Sequence, residues 1–100
     1  MKKKILVQVR YIVKEGKREE FLNQILDEGI QKACLQEDGC EKYDYYFPAD
    51  DSNALCLCEI WRDADALQVH GTQPHFLRLG EIKGDYVVEM IVNKYQVEAL

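Results

Sequence analysis

The chain has 100 residues, of which 47% are hydrophobic and 31% charged, and its formal net charge is −5. A length of this order supports one domain, because two would each be too small to sustain a hydrophobic core without disulfides or metals. The acidic balance argues against a nucleic-acid surface, which draws its affinity from clustered Lys and Arg, and the only basic run is Lys2, Lys3 and Lys4.

No apolar stretch approaches the roughly 18 residues of a membrane span. The short one after the basic run is interrupted by Gln8 and Arg10, so neither a signal segment nor a membrane contact is expected, and the expected location is cytoplasmic. In that reducing setting Cys34, Cys40, Cys56 and Cys58 are expected as free thiols.

From Ile5 to Lys14 the odd positions Ile5, Val7, Val9, Tyr11 and Val13 are apolar and alternate with Gln8, Arg10 and Lys14, the period of a strand. Gly16 breaks the pattern. Phe21, Leu22, Ile25, Leu26, Ile30 and Ala33 then recur at helical spacing as far as about Gln36, and Asp38-Gly39 closes the helix. Within it, Gly29 costs about 1 kcal/mol relative to Ala, which suggests close packing or room for a ligand. Two strand-like runs follow, Cys40 to Phe47 and Ala54 to Trp61, joined by turn residues as in a hairpin.

Asp63 is placed to cap a helix that ends at Gly71, and Thr72 to cap another that carries Pro74 in its first turn and stops at Gly84. Tyr86 to Val97 is a last strand, with apolar residues on both of its sides. The order βαββαβ, with the second helical segment divided, predicts an α+β, ferredoxin-like fold: a four-stranded antiparallel sheet with helices on one face. The open face then calls for cover, and a homodimer through it is the economical solution.

Glu59 to Phe76 gathers the residues most suited to chemistry. His75, following Pro74 near a helix start, is expected to point inward, where a neutral imidazole can serve as general base; the alternative is a helix-end histidine bonded to backbone. His70, at the end of its helix, is suited to a favourable interaction with the helix dipole. Glu59 shares a strand face with Leu55, Leu57 and Trp61, and if that face is covered its carboxyl must be paired or have a raised pKa. Alternation leaves the choice of face open, because Cys56, Cys58 and Ile60 also offer an apolar side. Trp61 suits a core position, and Tyr43 and Tyr45 either pack on the sheet or offer hydroxyls to a polar ligand.

Cys56 and Cys58 lie two apart on a strand and find no matching pair in Cys34 and Cys40, so no metal is expected. No phosphate-binding loop, nucleophile elbow or zinc-protease motif is present, and no cofactor is called for.

One pattern extends beyond these local readings. E-x-W-x-D-x-x-A-L-x-x-H-x-x-x-P-H-F, carried by Glu59, Trp61, Asp63, Ala66, Leu67, His70, Pro74, His75 and Phe76, resembles the antibiotic biosynthesis monooxygenase family. E-x-G-C-x-x-Y-D from Glu37 to Asp44 and the Gly16 to Phe21 entry to the first helix support the resemblance. It implies a dimeric α+β barrel with a cavity between sheet and helices in each protomer. It also implies cofactor-independent oxygenation of a small phenolic or quinol-like aromatic substrate, whose anion itself reduces oxygen.

By that resemblance His75 would be the base, Tyr43, Trp61 and Phe76 would line the pocket, and Glu59 or His70 would be polar partners. Heme-degrading relatives carry an asparagine, a tryptophan and a histidine where Val9, His70 and Gly80 stand here, which argues against heme degradation. Other members isomerise or degrade signal molecules, so an isomerase, or a non-catalytic dimeric binding or stress-associated module, is the alternative.

Overall fold

The computed structural model describes residues 3–100. Its elements are β1 (Lys4–Val13), α1 (Arg18–Asp27), α2 (Ile30–Leu35), β2 (Cys40–Tyr46), β3 (Ala54–Trp61), α3 (Ala64–His70), α4 (Pro74–Tyr86) and β4 (Val87–Val97). The strands form one antiparallel sheet in the order β2-β3-β1-β4. This is the ferredoxin-like α+β arrangement that the order of elements predicts.

Register decides which residues share a face, because partners across an antiparallel ladder point the same way. Lys94, Val7, Glu59 and Tyr43 form one row across the sheet, and Val92, Val9, Leu57 and Tyr45 form the next. The helices cover this face. Val7, Val9, Leu55, Leu57 and Trp61 are buried there against Phe21, Ile25, Ile30, Cys34, Leu79 and Ile82. The question that alternation left open is thereby answered, with Glu59 on the covered side. Cys56, Cys58 and Ile60 belong to the opposite side, with Leu6, Arg10, Ile91 and Tyr95.

The first helix departs from expectation. It is broken at Gly29, whose φ of 73° lies in the left-handed region that glycine adopts without penalty. A Cβ there would meet nothing within 4 Å, so the glycine serves the turn of the chain and not a close approach. The break inserts one residue into the helical period: Phe21 and Ile25 are buried in α1, and Ile30 and Cys34, in place of Ala33, in α2. Leu26, assigned to the apolar stripe by spacing, is exposed.

Asp63 caps α3 as expected, its Oδ1 accepting from the Ala66 backbone N–H at 2.9 Å. The cap of α4 is Gln73, with Pro74 in its first turn, whereas the Thr72 hydroxyl donates to the Val69 carbonyl. Gly84 does not end α4, which continues to Tyr86 because that residue is anchored. Its ring stacks on Phe21 at 5.3 Å and its hydroxyl donates to Glu20 at 2.9 Å. Such a ring pair contributes about 1 kcal/mol beyond its buried area.

β4, read from its composition as buried on both sides, is exposed along almost its whole length. It extends the sheet beyond the helices, so Met90 and Val92 look into a cavity while Ile91 and Tyr95 stand on the open face.

Candidate active site

The overhang of β4 leaves a cavity of about 450 Å³ between the sheet and the α3–α4 pair. Val7, Val9 and Tyr11 of β1 form its floor with Met90 and Val92 of β4, and Leu67, Phe76 and Leu79 form its helical wall. Five polar side chains interrupt this apolar lining: Glu59, Gln68, His70, Lys83 and Lys94. Tyr43 closes the end nearest β2. An apolar enclosure with few convergent polar groups is the usual form of a small-molecule site.

The two histidines stand where the spacing puts them, His70 at the end of α3 and His75 in the first turn of α4, but it is His70 that lines the cavity. His70 is only 3% exposed and lies on the cavity wall, whereas His75 is outside that wall and partly open to solvent. Both rings meet one residue that sequence reasoning did not single out as a site residue. Glu37 Oε2 lies 2.6 Å from His70 Nδ1 and 2.8 Å from His75 Nε2.

A carboxylate only accepts, so both ring nitrogens act as N–H donors to it. His70 is thereby held as the Nδ1–H tautomer, and its Nε2, with no hydrogen-bond partner among the described residues, is the nitrogen open to the cavity. Trp61 lies against the ring at 4.5 Å between centroids and Phe76 meets it edge-on at 5.0 Å, fixing its orientation.

Glu59 is 6% exposed, and its Oε1 accepts from Trp61 Nε1–H at 2.8 Å. Burial raises its pKa to about 7; the Trp61 hydrogen bond and the Lys94 charge oppose that rise, and Glu37 adds to it. The cavity therefore holds a carboxyl that exchanges its proton near neutrality, close to an imidazole with a free nitrogen. Burial drives the Tyr43 hydroxyl far above the ordinary tyrosine range, so it stays protonated and can only donate or accept a hydrogen bond.

Other expected site residues divide. Phe76 and Tyr43 line the cavity. Trp61 lies behind the wall and acts through Glu59 and His70. Tyr45 is not a lining residue: it packs against the core, 5.8 Å from the Tyr43 ring.

The fold also assembles a donor set that cysteine spacing does not suggest. Cys34, Glu37, His70 and His75 each offer one ligand atom, all within 4.8 Å of one another, and a divalent ion of zinc type accepts such a mixed set. It uses neither Cys56 nor Cys58. Burial pushes the Cys34 thiol up to about 12, and a metal would have to displace that proton and both imidazole N–H protons on Glu37. As they stand, both imidazoles are hydrogen-bonded to Glu37.

The sequence model of the antibiotic biosynthesis monooxygenase family matches residues 4–81, most of the chain and every element as far as α4. The chain belongs to that family. Among solved structures, a family-like fold is found in a Mycobacterium tuberculosis protein, 28% identical, with a TM-score of 0.83 and 97% of each chain covered. A conserved protein of Methanosarcina mazei is 27% identical, with a TM-score of 0.85, covering 96% of this chain and 94% of its own. An uncharacterised Synechocystis protein is 29% identical over 85 residues, and the match takes in 85% of this chain but only 56% of that relative. The chain thus spans little more than half the length of the curated relative it matches. Among the described residues, no helix of this monooxygenase-family chain is long and apolar enough to cross a membrane.

Proposed function

We propose that the protein is a cofactor-independent monooxygenase in which His70 removes a proton from a small phenolic or quinol-like substrate held in the cavity. The observation that carries this reading is the pairing of His70 Nδ1 with Glu37, which leaves Nε2 as a free base on the wall of a largely apolar cleft. Glu37 is then a positioning residue: it fixes the tautomer and stabilises the imidazolium that forms, as the carboxylate of a nucleophile–histidine–carboxylate triad does. His75 shares Glu37 from the solvent side and tempers its charge.

Deprotonation makes the substrate electron-rich enough to reduce dioxygen directly. For a quinol, one molecule of dioxygen yields a hydroxyquinone and water, the substrate losing four electrons and oxygen gaining them. Glu59, with its pKa near 7, is suited to return a proton to the reduced oxygen.

A second copy of the chain is proposed to cover the open face, where Leu6, Ile60 and Tyr95 form one row and Ile91 stands two rows further along. Light scattering that gives the mass of one chain at micromolar concentration would remove that dimer. The catalytic reading is tested by following oxygen uptake with a panel of quinols. His70→Ala is expected to lower the rate by about 10²-fold or more, and His75→Ala by much less. Equal loss in both variants, or no uptake above a protein-free control, would refute it; rearranged product without oxygen uptake would identify an isomerase that uses the same base.

A further inference from the structure

The cavity has a second polar end that proton abstraction does not use. Lys83 projects from α4 beneath β4, its Nζ 3.8 Å from Met90 Sδ and 5.9 Å from the centre of the Tyr11 ring. Neither contact satisfies an ammonium, since a thioether is a weak acceptor and the ring face offers a modest cation–π attraction at that distance. Several of the described cations have carboxylates: Lys4 has Glu41, Arg10 has Asp50, Arg62 has Asp38 and Arg78 has Glu28. Lys83 has none among the described residues. Burial lowers its pKa, as expected where nothing supports the charge.

Its place along the sheet matters. Tyr11 and Met90 are register partners, and four residues along β1 Val7 pairs with Glu59 and Lys94. Four strand residues span about 13 Å. Lys83 thus marks one end of the cavity, and Glu59, Tyr43 and His70 mark the other. Lys94, the second cation on the wall, stands in the Glu59 row, where its field already acts on that carboxyl. The apolar stretch between the ends, formed by Val9, Val92, Leu79 and Phe76, is suited to aromatic carbon.

We infer that the cavity takes a bifunctional aromatic acid, whose carboxylate pairs with Lys83 while its hydroxyl, at the opposite end, faces His70 and Glu59. This extends the proposed function by naming the substrate class, and it rests on that reading only for the assignment of the reacting end. A charge-assisted hydrogen bond in a partly desolvated site is among the strong polar contacts, and it supplies the partner that Lys83 lacks. It also orients the ligand: a molecule held at Lys83 and about 10 Å long presents its far end, and not its middle, to the base.

The test is binding, independent of turnover. Calorimetric titration would compare 4′-hydroxybiphenyl-4-carboxylate with its neutral carboxamide, which has the same rings and nearly the same shape. The acid is expected to bind about tenfold more tightly or better, the size of one charge-assisted hydrogen bond. Lys83→Met should abolish that preference while leaving carboxamide affinity nearly unchanged, and Lys83→Arg should retain most of it.

Equal affinity of the two probes for the unmodified protein would overturn the inference. So would a preference that survives in Lys83→Met and disappears in Lys94→Met, which would put the anion beside Glu59. A His70→Ala protein separates this inference from the catalytic one. Preference for the acid intact without oxygen uptake in any variant would refute the oxygenase and leave the anion subsite standing. Uptake that needs His70 with no preference for the acid would do the reverse.

Discussion

Replacing Glu59 by Gln tests the electrostatics of the site without any knowledge of the substrate. In the folded chain the carboxyl has a pKa of about 7, against an ordinary value of 4.5. Between those values the native state holds a proton that the unfolded state has released, so stability falls as pH rises through the window and the full cost is present above it. At 1.36 kcal/mol per pKa unit the cost at pH 8 is about 3 kcal/mol.

Gln is uncharged at every pH, keeps the shape, and its amide oxygen can still accept from Trp61 Nε1–H. Urea unfolding of both proteins at pH 5 and pH 8 isolates the effect, because carboxylates that do not interact with Glu59 cancel in the double difference. The two are expected to differ little at pH 5. At pH 8 Glu59→Gln should be more stable by about 2–3 kcal/mol, a rise in Tm of roughly 10 °C or more for a chain of this size. A variant less stable than the parent at pH 8 would mean that the ionised carboxylate is well supported by Lys94, and would refute the account of Glu59 as a neutral acid near pH 7.

Gly29→Ala should cost about 1 kcal/mol by urea midpoint, because it forces a side chain into the left-handed region although the space beside it is empty. A change within experimental error would show that the α1–α2 junction relaxes. Asp63→Ala should cost about 1 kcal/mol through loss of the cap on Ala66, with Asp63→Asn recovering most of it. Tyr86→Phe keeps the ring stacked on Phe21 but removes the hydroxyl that donates to Glu20, and a loss near 1 kcal/mol at pH 7 is expected.

What the sequence makes legible follows from how local each signal is. Strand alternation over Ile5 to Val13 and the Asp63 cap depend on neighbours within a few residues, and both hold in the fold. The break at Gly29 leaves helical spacing on either side, so only the five-residue step from Ile25 to Ile30 betrays it. Which of the two histidines lines the cavity depends on how α3 and α4 dock on the sheet, for which periodicity carries no information. Glu37 is less accessible still: it sits in a loop 33 residues before His70 in the chain, and only the docking of α3 on β1 and β3 brings the two together. Lys83 reads in sequence as one more solvated helical lysine, because the overhang of β4 that makes its cavity is a property of the whole sheet.

Proton abstraction in this cavity requires that His70 present a free Nε2 while Glu37 holds the proton on Nδ1. Long-range proton–nitrogen correlation spectra of ¹⁵N-histidine-labelled protein, at a pH where the ring is neutral, report this directly. An unprotonated Nε2 and a protonated Nδ1 are expected for His70, with that preference lost in Glu37→Ala. An Nε2–H tautomer for His70 in the parent protein would contradict it.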